Sequence, residues 1–112
     1  MLIFKILTSA EWQTLTADGQ SAGAPVDLAD GFIHFSTADQ VHATAAKHFA
    51  DQDDLWLLAF DADTLGPALK WEPSRGGALF PHLYAALRHG DVVWAKPLTL
   101  RDGVHDFPDL GA

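Results

Sequence analysis

A chain of 112 residues with 7 Lys+Arg against 15 Asp+Glu carries a formal net charge of −8, and 48% of its residues are hydrophobic, including four Trp and seven Phe. That composition can bury enough apolar area to offset chain entropy in one domain over residues 1–112, which excludes a disordered chain and leaves no room for a second domain. With no cysteine there is no disulfide framework, thiolate nucleophile or Cys-rich zinc site, and with seven basic residues scattered from Lys5 to Arg101 a nucleic-acid partner is not expected.

The opening LIFKIL reads as a strand. No basic segment precedes this short apolar stretch and Lys5 interrupts it, so a secretory signal is not expected and the cytoplasm is the default location. Thr8 followed by Glu11 is a capping-box pattern; it starts a helix that carries Trp12 and Leu15 inward and closes near Gly19. Residues up to Asp30 read as a Gly/Ala/Pro-containing loop, and GFIHFS as an aromatic, β-branched strand of about five residues. Thr37 and Gln40 repeat the capping pattern before a second helix, with Val41, Ala45 and Phe49 as its buried stripe.

Leu55 to Phe60 is the longest purely apolar run, far short of the roughly 20 residues that a membrane-spanning helix needs. Bounded by aspartates, it suits a central strand covered on both faces. Leu69 to Glu72, Leu79 to Tyr84 and Val92 to Leu98 follow as strands, separated by Pro73, Gly76-Gly77 and Gly90-Asp91. Pro81 implies that its strand is an edge or is irregular. The core is expected over residues 2–98, with a polar, partly loose tail at 99–112. Helices early and strands late give an α+β fold class.

Period-two alternation places Phe32, His34 and Ser36 on one strand face and Phe80, His82 and Tyr84 on another, so two strands carry Phe-x-His-x-hydroxyl. Each pair is accounted for either by a half-buried histidine satisfied by its neighbours or by a ligand-facing histidine, since burying it costs desolvation that an apolar residue avoids. In WEPSRGG, Glu72 stands near Arg75 and two glycines, Gly76 and Gly77, whose amides could approach an anion; a surface turn with a weak Glu72–Arg75 ion pair fits the same residues. No metal site is expected: H-E-x-x-H is absent, His42 and His48 lie about 240° apart around a helix, and Trp56 stands where a calcium loop needs glycine. G-x-S-x-G is missing too, which argues against a nucleophilic serine.

IFKILT, VDLADGFIHFST, LKWEPSRGGALFPHLY and VVWAKPL together resemble a small bacterial family, domain of unknown function 952, over Leu2 to about Leu98. The resemblance implies an ADP-ribosyltransferase-like fold, small twisted mixed sheets around a cleft with two N-terminal helices, and NAD as cofactor or ligand. His34-Phe35-Ser36 is similar to the H-x-S or H-x-T strand whose histidine holds an NAD ribose hydroxyl in that superfamily. The helix after it resembles the corresponding region of NAD-dependent tRNA 2′-phosphotransferases, without their arginines. On this resemblance, His34 and Ser36 orient the ribose, Tyr84 or a phenylalanine stacks on nicotinamide, and Glu72 stabilises the developing positive charge. Arg75, Gly76 and Gly77 hold the pyrophosphate, and His82 binds ligand or orders Tyr84. Catalytic roles thus fall to Glu72 and His34 in an NAD-dependent transferase. The alternatives are a non-catalytic module that senses a nucleotide or another small ligand, and a protein-interaction domain whose acidic surface meets a basic partner.

Overall fold

Seven consecutive residues, Leu2–Thr8, form β1, and it lies beside another apolar strand, β4 (Leu55–Asp61), over its whole length. The computed structural model describes residues 1–111, with Arg75 described by its backbone alone. Thr8 ends β1 and caps α1 (Ser9–Asp18): its hydroxyl accepts from the Glu11 amide at 3.2 Å while the Glu11 carboxylate accepts from the Thr8 amide at 2.9 Å. This is the expected reciprocal cap, and Gly19 in the left-handed region closes the helix where the sequence places it. β2 (Gln20–Ser21) follows.

The expected loop before Asp30 contains α2 (Pro25–Asp30) instead. Proline at its start, Asp27 accepting from the Ala24 amide at 2.8 Å, and Gly31 at φ 82° as its left-handed end together make a helix of less than two turns stable. Next come β3 (Ile33–His34), α3 (Ala38–His48) with Val41 and Ala45 buried, β4, and a short α4 (Ala62–Leu65). β5 (Leu69–Pro73), β6 (Leu79–Leu83), β7 (Leu87–Arg88), β8 (Val92–Arg101) and β9 (Val104–Asp106) complete the chain.

Three sheets result, ordered β1-β4-β8-β9, β3-β6-β5 and β2-β7. Among the described strands every pairing is antiparallel, which corrects the expectation of mixed sheets. β4 is central, as its apolar run requires, and the two faces of the main sheet feed separate cores. One face places Phe4, Ile6, Leu57 and Leu98 against Val41 and Ala45 of α3; the other places Ile3, Leu7, Leu58 and Phe60 against Leu15 of α1 and Ile33 and Leu83 of the smaller sheet.

At Pro81 the structure shows the second of the two expected outcomes, an irregular strand and not an edge. β6 lies between β3 and β5, so Pro81 sits in a central strand. The Phe35 amide donates to the Pro81 carbonyl at 3.0 Å, and proline has no N–H to return, so the β3–β6 ladder stops at His34 and the expected five-residue strand shrinks to two. The chain then changes partner: Ser36 and Phe4 exchange backbone hydrogen bonds at 2.8 and 2.9 Å, fastening the smaller sheet to the main one. Part of the tail also joins the fold. Asp102 (φ 53°) and Gly103 (φ 80°) form a two-residue hairpin that returns the chain as β9, after which Phe107 and Leu110 pack on the core face that α3 covers.

Candidate functional site

The site grows from a lysine that the fold buries. On β1, Lys5 shares a face with Ile3 and Leu7 and is only 6% exposed, so its ammonium needs a counter-charge at hand. Asp27 of α2 supplies it at 2.9 and 3.1 Å and is itself 1% exposed. The same carboxylate accepts from the Ala24 amide at 2.8 Å, the His34 amide at 3.0 Å and His34 Nδ1 at 2.6 Å. Burial alone would push this carboxyl up, yet the His34 hydrogen bonds and the Lys5 charge outweigh it and hold Asp27 well below the usual carboxylate range. Burial lowers the Lys5 ammonium from its ordinary value, with Asp27 opposing that shift. Gly23 makes the packing possible: at φ +109° it stands where an added Cβ would meet Asp27 Cβ at 2.6 Å.

His34 therefore has one nitrogen anchored in the interior. Its Nε2 lies 2.9 Å from Asp30, whose side chain is 49% exposed. A carboxylate oxygen accepts, so each ring nitrogen faces its carboxylate from the donor side.

Pairing between β3 and β6 sets His34 directly opposite His82, with ring centroids 5.5 Å apart. His82, 4% exposed, has Nδ1 2.8 Å from Glu72 of β5. Tyr84 donates its hydroxyl to the same Glu72 oxygen at 2.8 Å. These bonds, from His82 first and Tyr84 second, hold the Glu72 carboxyl below its ordinary value, and the bond to Glu72 raises the Tyr84 phenol. Phe32 lies among the rings: stacked on His82 at 4.1 Å, and tilted against His34 at 4.6 Å and Tyr84 at 5.3 Å. The Glu72–His82 pair has the form of a carboxylate–imidazole dyad beside an aromatic platform. A recess of about 290 Å³ opens next to the platform, lined by Phe32, Leu28, Ala85 and Ala86 among others.

Of the residues singled out from sequence, His34, His82, Tyr84 and Glu72 are brought together, and both Phe-x-His strands contribute to one cluster. Ser36 is not part of it. Its hydroxyl lies 2.9 Å from Thr44 of α3 and its backbone bridges Phe4, because the Pro81 interruption turns the strand after His34 toward the main sheet. Gly76 and Gly77 form an exposed turn after β5, both at positive φ. The side chain of Arg75 lies outside the described residues. Sequence reasoning passed over Lys5, Asp27, Asp30 and Phe32 as members of the site. A lysine inside a strand otherwise buried along its length is the signal that a partner carboxylate must exist; nothing in the spacing says that Asp27, 22 residues on, provides it.

A family model described as "Protein of unknown function (DUF952)" matches residues 6–95. No curated protein matches the chain. An X-ray crystal structure of protein CC0527 from Caulobacter crescentus is 52% identical, with a TM-score of 0.91 and coverage of 95% of this chain and 94% of that one. A solution NMR structure of CC0527 is 53% identical, with a TM-score of 0.84 and coverage of 98% and 93%.

Proposed function

We propose that the chain, which belongs to the DUF952 family by a model spanning residues 6–95, binds NAD or a related ADP-ribose nucleotide at the Phe32 cluster and acts as a transferase of the ADP-ribosyl type, as the resemblance of its His34-Phe35-Ser36 strand implies. The observation that carries this reading is the convergence of His34, His82, Tyr84 and Glu72 around Phe32 on one partly open face. Phe32 and Tyr84 offer ring faces and edges to nicotinamide, and the Glu72 carboxylate suits its positive charge. Cleavage breaks the nicotinamide–ribose bond, the electron pair leaves with the nicotinamide nitrogen, and the ribose carbon develops oxocarbenium character that Glu72 stabilises until an acceptor nucleophile adds. Arg75 and the amides of Gly76 and Gly77 are the proposed pyrophosphate holders. The finer architectural reading, a fold of the ADP-ribosyltransferase kind with a cleft beside the smaller sheet, belongs to this proposal.

A second reading, a non-catalytic module that senses the nucleotide, draws support from one observation: both His34 nitrogens and the Ser36 hydroxyl already have protein partners. Titrating ¹⁵N-labelled protein with NAD, with ADP-ribose and nicotinamide as controls, tests binding. Saturable shifts at Phe32, His34 and Tyr84 are expected, and silence at millimolar NAD overturns the nucleotide reading. Glu72→Gln separates the two versions: a transferase loses nicotinamide release by about 100-fold or more with affinity preserved, whereas a sensor shows no release in either protein.

A further inference from the structure

We infer that Asp30 is an internal stand-in for a ligand oxygen on the outward nitrogen of His34, while Lys5 and Asp27 fix the ring from behind. The two carboxylates on His34 are unequal. Asp27 is buried, receives Lys5 and two backbone amides besides the ring, and is packed against Gly23, so it has no room to exchange. Asp30 is half exposed, and its side chain makes one hydrogen bond among the described residues, the Nε2 bond at 2.9 Å.

Its place in the fold points the same way. Asp30 is the last residue of α2, where exposed carbonyls disfavour a negative charge, and Gly31 follows it directly in the left-handed conformation. The helix gains nothing from a carboxylate there; the imidazole does. Rotation about the Asp30 side chain would free an N–H that points outward, held in place by Asp27, and that N–H selects an oxygen acceptor: a ribose hydroxyl, a carboxylate or a phosphate. Lys5 and Asp27 are then positioning residues, acting on the ligand through His34. The identity of that ligand as NAD rests on the function proposed above; the exchangeability of Asp30 does not.

The test uses Asp30→Ala in the full chain, with ¹⁵N NMR of the His34 ring. In the variant the Nε2 proton is expected to exchange with water faster while the Nδ1 proton stays protected by Asp27. Formate, added as a detached carboxylate, is expected to restore Nε2 protection. NAD is expected to bind the variant about 3- to 10-fold more tightly than the parent, the scale of one hydrogen bond no longer displaced. Equal loss of protection at both nitrogens, or indifference to formate, overturns the stand-in role whatever NAD does. NAD binding that is unchanged or weaker in the variant, while the parent binds at His34, also overturns it and leaves the nucleotide reading intact. Formate rescue without any NAD binding upholds the stand-in role and overturns the nucleotide reading.

Discussion

Asp27 gathers an ammonium, an imidazole and two backbone amides at 1% exposure, so its removal strands several buried donors at once. Asp27→Asn keeps the shape but cannot balance Lys5, and breaking a buried pair from one side costs about 3–5 kcal/mol, read as a lower urea midpoint. Gly23→Ala is expected to lose about 1–3 kcal/mol, since it adds an unfavourable backbone conformation to a Cβ 2.6 Å from Asp27. Combined with Asp27→Asn the two should fall short of additivity, because both disturb one contact. At this scale the sequence was half legible. Period-two alternation correctly put Phe32 beside His34, but it extended that face to Ser36, and no local rule warns that a proline 45 residues later turns the strand aside.

Among the elements, the caps were the most readable feature because they are written within four residues. Thr8→Ala should cost about 1 kcal/mol by removing the hydroxyl that accepts from Glu11, measured by thermal or urea unfolding. The cap on α3 adds a tertiary link: Gln40 accepts from the Thr37 amide at 3.0 Å and donates to the Leu79 carbonyl at 2.7 Å. Elements missed from sequence were short ones whose stability comes from elsewhere. α2 has six residues and depends on Asp27 holding both its own first turn and Lys5. β9 has three and depends on Phe107 and Leu110, which close over the α3 core face. Asp102-Gly103 was a readable hairpin signal, overlooked because the surrounding residues are polar.

For the molecule as a whole, charge sets the response to conditions. In the folded state the Asp27 carboxyl lies below its unfolded value, so its contribution to stability is fully present above about pH 4 and is lost as pH falls through the folded value. Urea midpoints should therefore decline steeply below pH 4, and Asp27→Asn should flatten that decline. A net charge of −8 also predicts that salt stabilises the protein by screening self-repulsion, with the melting temperature rising as ionic strength goes from about 0.01 M to 0.15 M and the Debye length shrinks from about 30 Å to 8 Å. The α+β class followed from the order of elements, and the central place of Leu55–Phe60 from its apolarity. Antiparallel pairing throughout did not follow, because partner choice is decided by contacts between distant segments.

The exchange of hydrogen bonds between Ser36 and Phe4 has a thermodynamic corollary. It makes the boundary between the two sheets a seam and not a joint, since His34 and Ser36, two residues apart, are each committed to a different sheet. Melting of either sheet strains the pairing of the other. The chain should then unfold as one cooperative unit, with fluorescence and circular dichroism transitions coinciding and the amides of Phe4 and Ser36 exchanging with deuterium at the rate of global opening.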